Sequence, residues 1–341
     1  MNEHLDIIRH WLKTDKTMAL ARVIKTWGSS PRPIGSVMLV NDEGKMAGSV
    51  SGGCVEGSVV KKSHEVITNE GSLKIAYGVS DEEAWSVGLS CGGSIQVFVE
   101  KIDFNESPVW EQLLQNIENN ISSILISSLE DGGNTKTLIT NGNEVVGDSI
   151  PEELEEEAAN AYDQRTHKSV TVDGKDYFIQ LFPRKAQLLI IGAAHITVDL
   201  VSLGNQFGFE TIVIDPRGYF TQNTTFPNPP SQLLESYPSE VLGDFALDAY
   251  TFAAILSHDP KIDDNALEIL LPSKTAYIGA LGSKKTHAKR TNRLLEKGVS
   301  QELIDKISAP IGVNINARTA KEIALAIMAQ IIEAQNSHLV R

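Results

Sequence analysis

The sequence predicts an α/β protein built of two domains: an N-terminal mixed α/β module and a C-terminal Rossmann-like domain with a mainly parallel sheet. Three observations carry this. From residue 187 onward, short continuous apolar runs alternate with helical patterns, as expected for parallel strands covered on both faces. The first run, LLII, enters Gly192-Ala193-Ala194-His195, and Asp215 ends the next strand about twenty residues later. Strand, glycine turn, helix, strand and acid is the order of a dinucleotide-binding βαβ unit. Finally, residues 182–187 (FPRKAQ) interrupt two apolar stretches and read as a linker. The expected domains are 1–183 and 184–341. Within the first, residues 1–104 form a cysteine-bearing segment and residues 105–183 a less specific α/β segment.

Residues 3–13 read as a short helix, with Leu5, Ile8 and Leu12 aligned and Trp11 beside them. A strand over 18–26 leads into the loop 27–36, which two prolines around Arg32 make stiff. A strand at 37–40 turns at NDEG and returns into GSVSGGCVEG, residues 48–57. After Cys54, the spacing of Val55, Val59, Val60, Val66 and Ile67 predicts a helix. Strands at 73–77 and 95–100 complete a small mixed sheet, with SCGG (90–93) just before the second. A helix over 106–119 and strands near 122–129, 135–140, 168–172 and 177–182 follow. The helix at 151–163 carries Glu152, Glu153, Glu155, Glu156 and Glu157, a solvated face that complements the helix dipole. In the C-terminal domain, strands at 211–214, 252–256 and 276–278 alternate with helices at 195–207, 284–297 and 319–334. No internal repeat is visible in the sequence.

The net charge of −14, with no basic run that could form a phosphate-tracking stripe, argues against nucleic acid as a partner. No apolar run approaches a membrane span, and the N-terminus lacks the core of a signal peptide. Two cysteines without paired spacing fit a reducing, cytoplasmic setting. A homodimer is the prior expectation for such a chain.

Both cysteines, Cys54 and Cys91, stand beside a Gly-Gly pair: Gly52-Gly53 and Gly92-Gly93. Glycines let a backbone approach a ligand closely, and a helix start favours anions and thiolates. Either cysteine could equally be a small buried hydrophobe. Ser29, Ser30 and Arg32 could hold anionic oxygen, and Glu56 could accept protons. In the C-terminal domain, Gly192, Ala194, His195, Asp215, Arg217, Ser257, His258, Asp259, Gly279, Gly282 and Ser283 fall at strand ends, where ligands of open α/β sheets bind. The G-x-G-x-x-G fingerprint has Ala194 and Thr197 in place of its second and third glycines, and a methyl at Ala194 weakens a pyrophosphate contact.

SSPRPIGSVMLV, GSVSGGCVEG and LSCGGSIQVFVE, followed by LLIIGAAHIT, VIDPR, YIGALGSKK and PIGVNINARTAKEIALAI, resemble the XdhC/CoxI family of xanthine dehydrogenase accessory proteins. Two positions depart from its motifs: GAAH stands for GAGH, and Ala309 precedes Pro310-Ile311-Gly312 where histidine is usual. The resemblance implies a carrier that binds molybdenum cofactor and helps insert it into a xanthine dehydrogenase-type molybdoenzyme. In some members a cysteine desulfurase is a further partner. It implies cofactor contacts at the residues named above, with Cys54 and Cys91 near molybdenum, and both modules facing one crevice. Catalytic candidates are Cys54, Glu56 and Cys91. The alternative is an NAD(P)-dependent oxidoreductase using the Rossmann-like half.

Overall fold

Alternation over residues 18–24 sends Met18, Leu20, Arg22 and Ile24 to one side of a strand and Ala19, Ala21 and Val23 to the other; all are buried. A strand with two buried faces needs a layer on each side, and the computed structural model supplies both. It describes all residues except 2–3, 29, 31, 70, 79–92, 106, 131–134, 143, 219–224 and 338–341. The chain divides into two units, Met1–Arg184 and Lys185–Arg341.

The first unit begins with α1 (Leu5–Lys13), β1 (Met18–Trp27), β2 (Val37–Asn41), β3 (Met46–Gly48), α2 (Glu56–Asn69), β4 (Ser72–Tyr77) and β5 (Ser94–Ile102). Its sheet has the order β3-β2-β1-β5-β4, and every pairing is antiparallel, which corrects the expectation of a mixed sheet. Val55 and the α2 valines Val59 and Val66 cover one face together with Ala19, Ala21, Val23 and Val97. The chain then repeats itself: α3 (Pro108–Glu118), β6 (Ser123–Ser128), β7 (Lys136–Thr140), β8 (Glu144–Gly147), α4 (Glu152–Asp163), β9 (Lys168–Val172) and β10 (Lys175–Phe182) build a second antiparallel sheet of order β8-β7-β6-β10-β9.

This duplication extends to single bonds. Lys16 N donates to Trp11 O at 3.0 Å, as Ile121 N does to Asn116 O at 2.8 Å. Asp42 N donates to Thr17 O at 3.0 Å, as Asn141 N does to Ser122 O at 3.1 Å. Asp15 and Asn120 take left-handed φ values of 50° and 58° at matching places. Gly48 and Gly147 end matching strands with positive φ, and an added Cβ would lie 2.4 Å from Val37 O or 2.2 Å from Lys136 O. Equivalent side chains also meet one another between the sheets: Ile8 with Leu113, Leu20 with Leu125 and Leu39 with Leu138 share one cluster, and Phe98 with Phe178 share another. Residues that meet their own counterparts mark a pseudo-two-fold relation, the signature of an isologous interface. The expectation of no repeat is therefore corrected for structure. The two halves keep the pattern of burial and have lost the residues that would show it in sequence.

The second unit holds β11 (Gln187–Ile191), α5 (His195–Gln206), β12 (Glu210–Ile214), β13 (Gln232–Leu234), β14 (Thr251–Ile255), α6 (Pro260–Leu270), β15 (Tyr277–Ala280), α7 (Lys284–Glu296), β16 (Ile307–Ser308) and α8 (Ala320–Asn336), besides short helical turns at Pro238–Val241, Leu242–Asp244 and Gln301–Ile304. All strand pairings are parallel, in the order β13-β12-β11-β14-β15-β16. This is the doubly wound order 3-2-1-4-5-6. Side chains of α5 and α8 cover one face, those of α6 and α7 the other. The apolar face of α8 (Ala324, Ile327, Met328 and Ile331) is core.

Candidate functional site

The loop between β3 and α2 is built on a carboxylate. Glu56, the first residue of α2, is 5% exposed. Its Oε1 accepts from Ser49 Oγ at 2.5 Å, Ser51 N at 2.9 Å and Val50 N at 3.2 Å. Its Oε2 accepts from Ser51 Oγ at 2.5 Å and Gly53 N at 2.9 Å. Burial alone would raise its pKa, but the Ser49 and Ser51 hydroxyls and the Ser51 amide outweigh that and hold the carboxyl at about 2. Both oxygens are committed to the loop, so Glu56 acts here as its organiser. Ser49 Oγ also accepts from Gly52 N, and Ser51 Oγ from Val55 N. The result is a tied loop with Gly52 and Gly53 exposed at its tip and Cys54 half-buried beside them. Gly53 has φ 118°, and nothing lies within 4 Å of where its Cβ would be. Cys54 carries a free thiol.

Among the other candidates of this unit, Ser30 Oγ donates to Arg32 O at 2.8 Å, and Arg32 is exposed. Gly93 is buried just before β5. Ser29, Cys91 and Gly92 lie outside the described residues, so the expected approach of Cys91 to Cys54 falls there too. Among the described residues no three His, Cys, Asp or Glu side chains are placed to hold a metal.

In the second unit the structure gathers Gly192, Ala193, Asp215, Arg217 and Ser257 at the carboxyl ends of β11, β12 and β14. Gly192 has φ 112°, and a Cβ there would lie 2.6 Å from Ser257 Cα, so the turn is pressed against the next strand. Thr197, in place of the third glycine, closes the turn by donating to Gly192 O at 2.6 Å. Ala194 stands at the N-cap of α5, and His195 is exposed. Asp215, fully buried, accepts from Ala193 N at 2.8 Å and from Arg217 N, Nε and Nη2 at 3.0, 2.9 and 2.7 Å. Burial would raise its pKa, but Arg217 and the two backbone donors lower it on balance. Arg217 Nη1 donates to Ser257 O.

The remaining strand-end candidates divide between turn geometry and capping. His258 is exposed with φ 62°, and Asp259 caps α6 through Lys261 N. Gly279 is buried, Gly282 has φ 135°, and Ser283 caps α7 through Thr286 N. Two residues that sequence reasoning misses stand behind Ser257: its Oγ donates to Asp263 at 2.6 Å, and buried Arg290 reaches Asp263 at 3.3 Å and Leu281 O at 2.9 Å. Arg290 sits in a strongly basic stretch (KKTHAKRTNR), where no spacing singles out one inward-facing residue.

An acid meant for a ribose diol must offer free carboxylate oxygens, and those of Asp215 are held by Arg217 and Ala193. Titration with NADH or NADPH, followed by nicotinamide fluorescence, is therefore expected to show no micromolar binding. Tight binding with turnover would establish the oxidoreductase alternative.

Two family models match the chain: the XdhC and CoxI family over residues 11–78 and the XdhC Rossmann domain over residues 188–331. A Bacillus subtilis protein, named as a probable subunit of xanthine dehydrogenase, is 27% identical over 331 residues, 95% of each chain. The Escherichia coli molybdenum cofactor insertion chaperone PaoD is 25% identical, over 97% of this chain and 88% of its own. A crystal structure described as a xanthine dehydrogenase from Bacillus halodurans matches with TM-score 0.66 and 27% identity, covering 98% of this chain and 96% of the other. No described helix is long and apolar enough to cross a membrane.

Proposed function

Since the chain belongs to the XdhC/CoxI family, we propose that it is a maturation factor that binds molybdenum cofactor as cargo and helps insert it into a xanthine dehydrogenase-type molybdoenzyme. The names of its relatives support the role, and the Glu56-tied loop carries the reading of the site. The second copy of the fold makes the same strand-to-helix connection with residues 148–151 alone, whereas the first uses residues 49–55. The Gly-Gly-Cys excursion is thus not required by the fold. It sets a soft sulfur beside two exposed glycines at a helix start, where a bulky anionic cargo can approach. Ser30 and Arg32 are proposed to add anion contacts. The gathered turns around Gly192 and Asp215 are proposed as a further polar contact surface for cargo. The molybdoenzyme is the proposed partner, a cysteine desulfurase a second one, and a homodimer the proposed assembly.

Cys54→Ala tests this. Because Cys54 is half-buried at the loop, the variant is expected to melt close to wild type yet retain roughly tenfold less cofactor, about 1.4 kcal/mol of binding. Molybdenum content and oxidised-pterin fluorescence of the protein co-expressed with its client measure this. Equal retention by the variant would remove Cys54 from the site, and a wild type carrying neither molybdenum nor pterin would overturn the carrier function.

A further inference from the structure

A chain of net charge −14 repels its own copies unless a patch of the opposite sign meets an acidic one. Helix α7 is such a patch. Residues 284–297 (KKTHAKRTNRLLEK) hold six lysines and arginines against one acid, Glu296. Three of the six tie α7 to α6: Arg290 reaches Asp263, Arg293 donates twice to Asp264 at 2.6 and 2.9 Å, and Lys297 pairs with Glu268. The other three, Lys284, Lys285 and Lys289, are exposed, and none has an ion partner among the described residues. They flank an outward strip of Ala288, Asn292 and Leu295, the last 43% exposed. Their placement is unfavourable for the helix itself. Lys284 and Lys285 stand in its first turn, which has no acid and where the dipole disfavours cations. Lys285 and Lys289 are like charges four residues apart.

The first unit carries the complementary face. Helix α4 opens with Glu152, Glu153, Glu155 and Glu156, all exposed, and among the described residues only Glu157 of this run has a cation, Lys168. The dipole of α4 favours acids in its first turn, but it does not relieve the repulsion between Glu152 and Glu156, one turn apart. Leu154, Ala158 and Ala161 face inward, which turns Glu152, Glu156 and Ala159 outward together. The two helices match in size, at 12 and 13 residues. Each sets a one-turn pair of like charges beside an exposed alanine: Glu152 and Glu156 with Ala159, Lys285 and Lys289 with Ala288. Small residues at both centres let helix axes approach to about 8–10 Å, and the contact brings carboxylates to the positive end of α7. We propose that the exposed face of α7 is a docking surface for α4 of a second copy of this chain, and that the reciprocal contact closes a two-fold dimer. The inference rests on the homodimer proposed above, whose contact it names, and does not depend on cargo.

Sedimentation velocity of the full chain tests this. A dimer is expected in about 0.1 M salt and should weaken about tenfold or more in about 1 M, where the screening length has fallen from about 10 Å to about 3 Å. Two charge-reversed variants, K284E/K285E/K289E and E152K/E153K/E156K, should each lose dimer affinity by about tenfold or more while melting close to wild type. Mixed in equal amounts they should associate again, because each then meets the opposite sign at both contacts. Ala288→Trp and Ala159→Trp, which add bulk at exposed residues without changing charge, should weaken the dimer as well. A chain that stays monomeric up to about 100 μM would overturn both this contact and the homodimer. A dimer indifferent to the reversals and to the tryptophans, or reversed variants that fail to recover on mixing, would keep the homodimer and overturn the contact. Loss of cofactor insertion in the lysine variant with its dimer intact would overturn the contact too, and assign α7 to the molybdoenzyme. Molybdenum and pterin content reads the carrier function separately, so either result leaves that reading to its own test.

Discussion

Glu100→Ala is expected to cost about 3–5 kcal/mol of stability, the usual penalty for stripping one member from a buried ion pair. Arg22 is fully buried between the two sheets. Its guanidinium pairs with Glu100, donates to Ser127 Oγ at 3.0 Å and lies 5.4 and 5.5 Å from the ring centres of Phe98 and Phe178. Burial lowers its pKa, and Glu100 works against that. Without Glu100, a desolvated cation remains with only neutral acceptors. Simultaneous replacement by apolar residues (Arg22→Met, Glu100→Leu, Lys136→Met) is expected to recover most of the loss, because the desolvation cost disappears with the charges. Urea unfolding of the three proteins measures this. A Glu100→Ala protein within about 1 kcal/mol of wild type would mean that the ion pair does not hold the sheets together.

That cluster also shows what the sequence could convey. Arg22 sits in MALARVIKT, where a strand pattern is plain, but a lone arginine in a strand reads as an outward residue. Only a second sheet, supplied by residues more than a hundred positions on, turns its side inward. The duplication stayed hidden for the same reason. Isologous packing constrains size and burial at paired positions, so Leu20 keeps Leu125, while polar pairs such as Glu100 and Gln180 drift apart. In the second unit the pattern was legible because the central strands β11, β12, β14 and β15 are covered on both faces, and β11 and β12 run into a glycine and an acid, Gly192 and Asp215. The short edge strands β13 and β16 and the helix α6 were not. The edge strands are too short to show a period, and α6 begins behind Ser257-His258-Asp259, a segment that also reads as a ligand loop. Asp215 was found by spacing, but its engagement by Arg217 depends on a side-chain orientation that spacing does not encode.

Glu56→Gln should produce the other large effect, and its pH dependence identifies the cause. The carboxylate accepts from two hydroxyls and three backbone amides, and an amide in its place turns N–H groups toward donors such as Gly53 N. A loss of about 2–3 kcal/mol at neutral pH follows. The folded-state pKa of about 2 lies below the ordinary value of 4.5. The charged form is thus the one that the fold prefers, and its contribution is full above about pH 5. It fades as the pH falls toward 2, by roughly 2 kcal/mol once solvent screening near the exposed loop tip is allowed for. Wild type and variant should therefore converge in stability between about pH 5 and 2, with the variant nearly flat in this contribution. A constant gap across that window would assign the loss to packing instead of charge. Cofactor retention offers an independent readout: an untied loop should release cargo even where Cys54 is intact, so Glu56→Gln at neutral pH should retain no more cofactor than Cys54→Ala. A variant that unties the loop yet keeps its cargo would separate the organising carboxylate from the site it is proposed to hold.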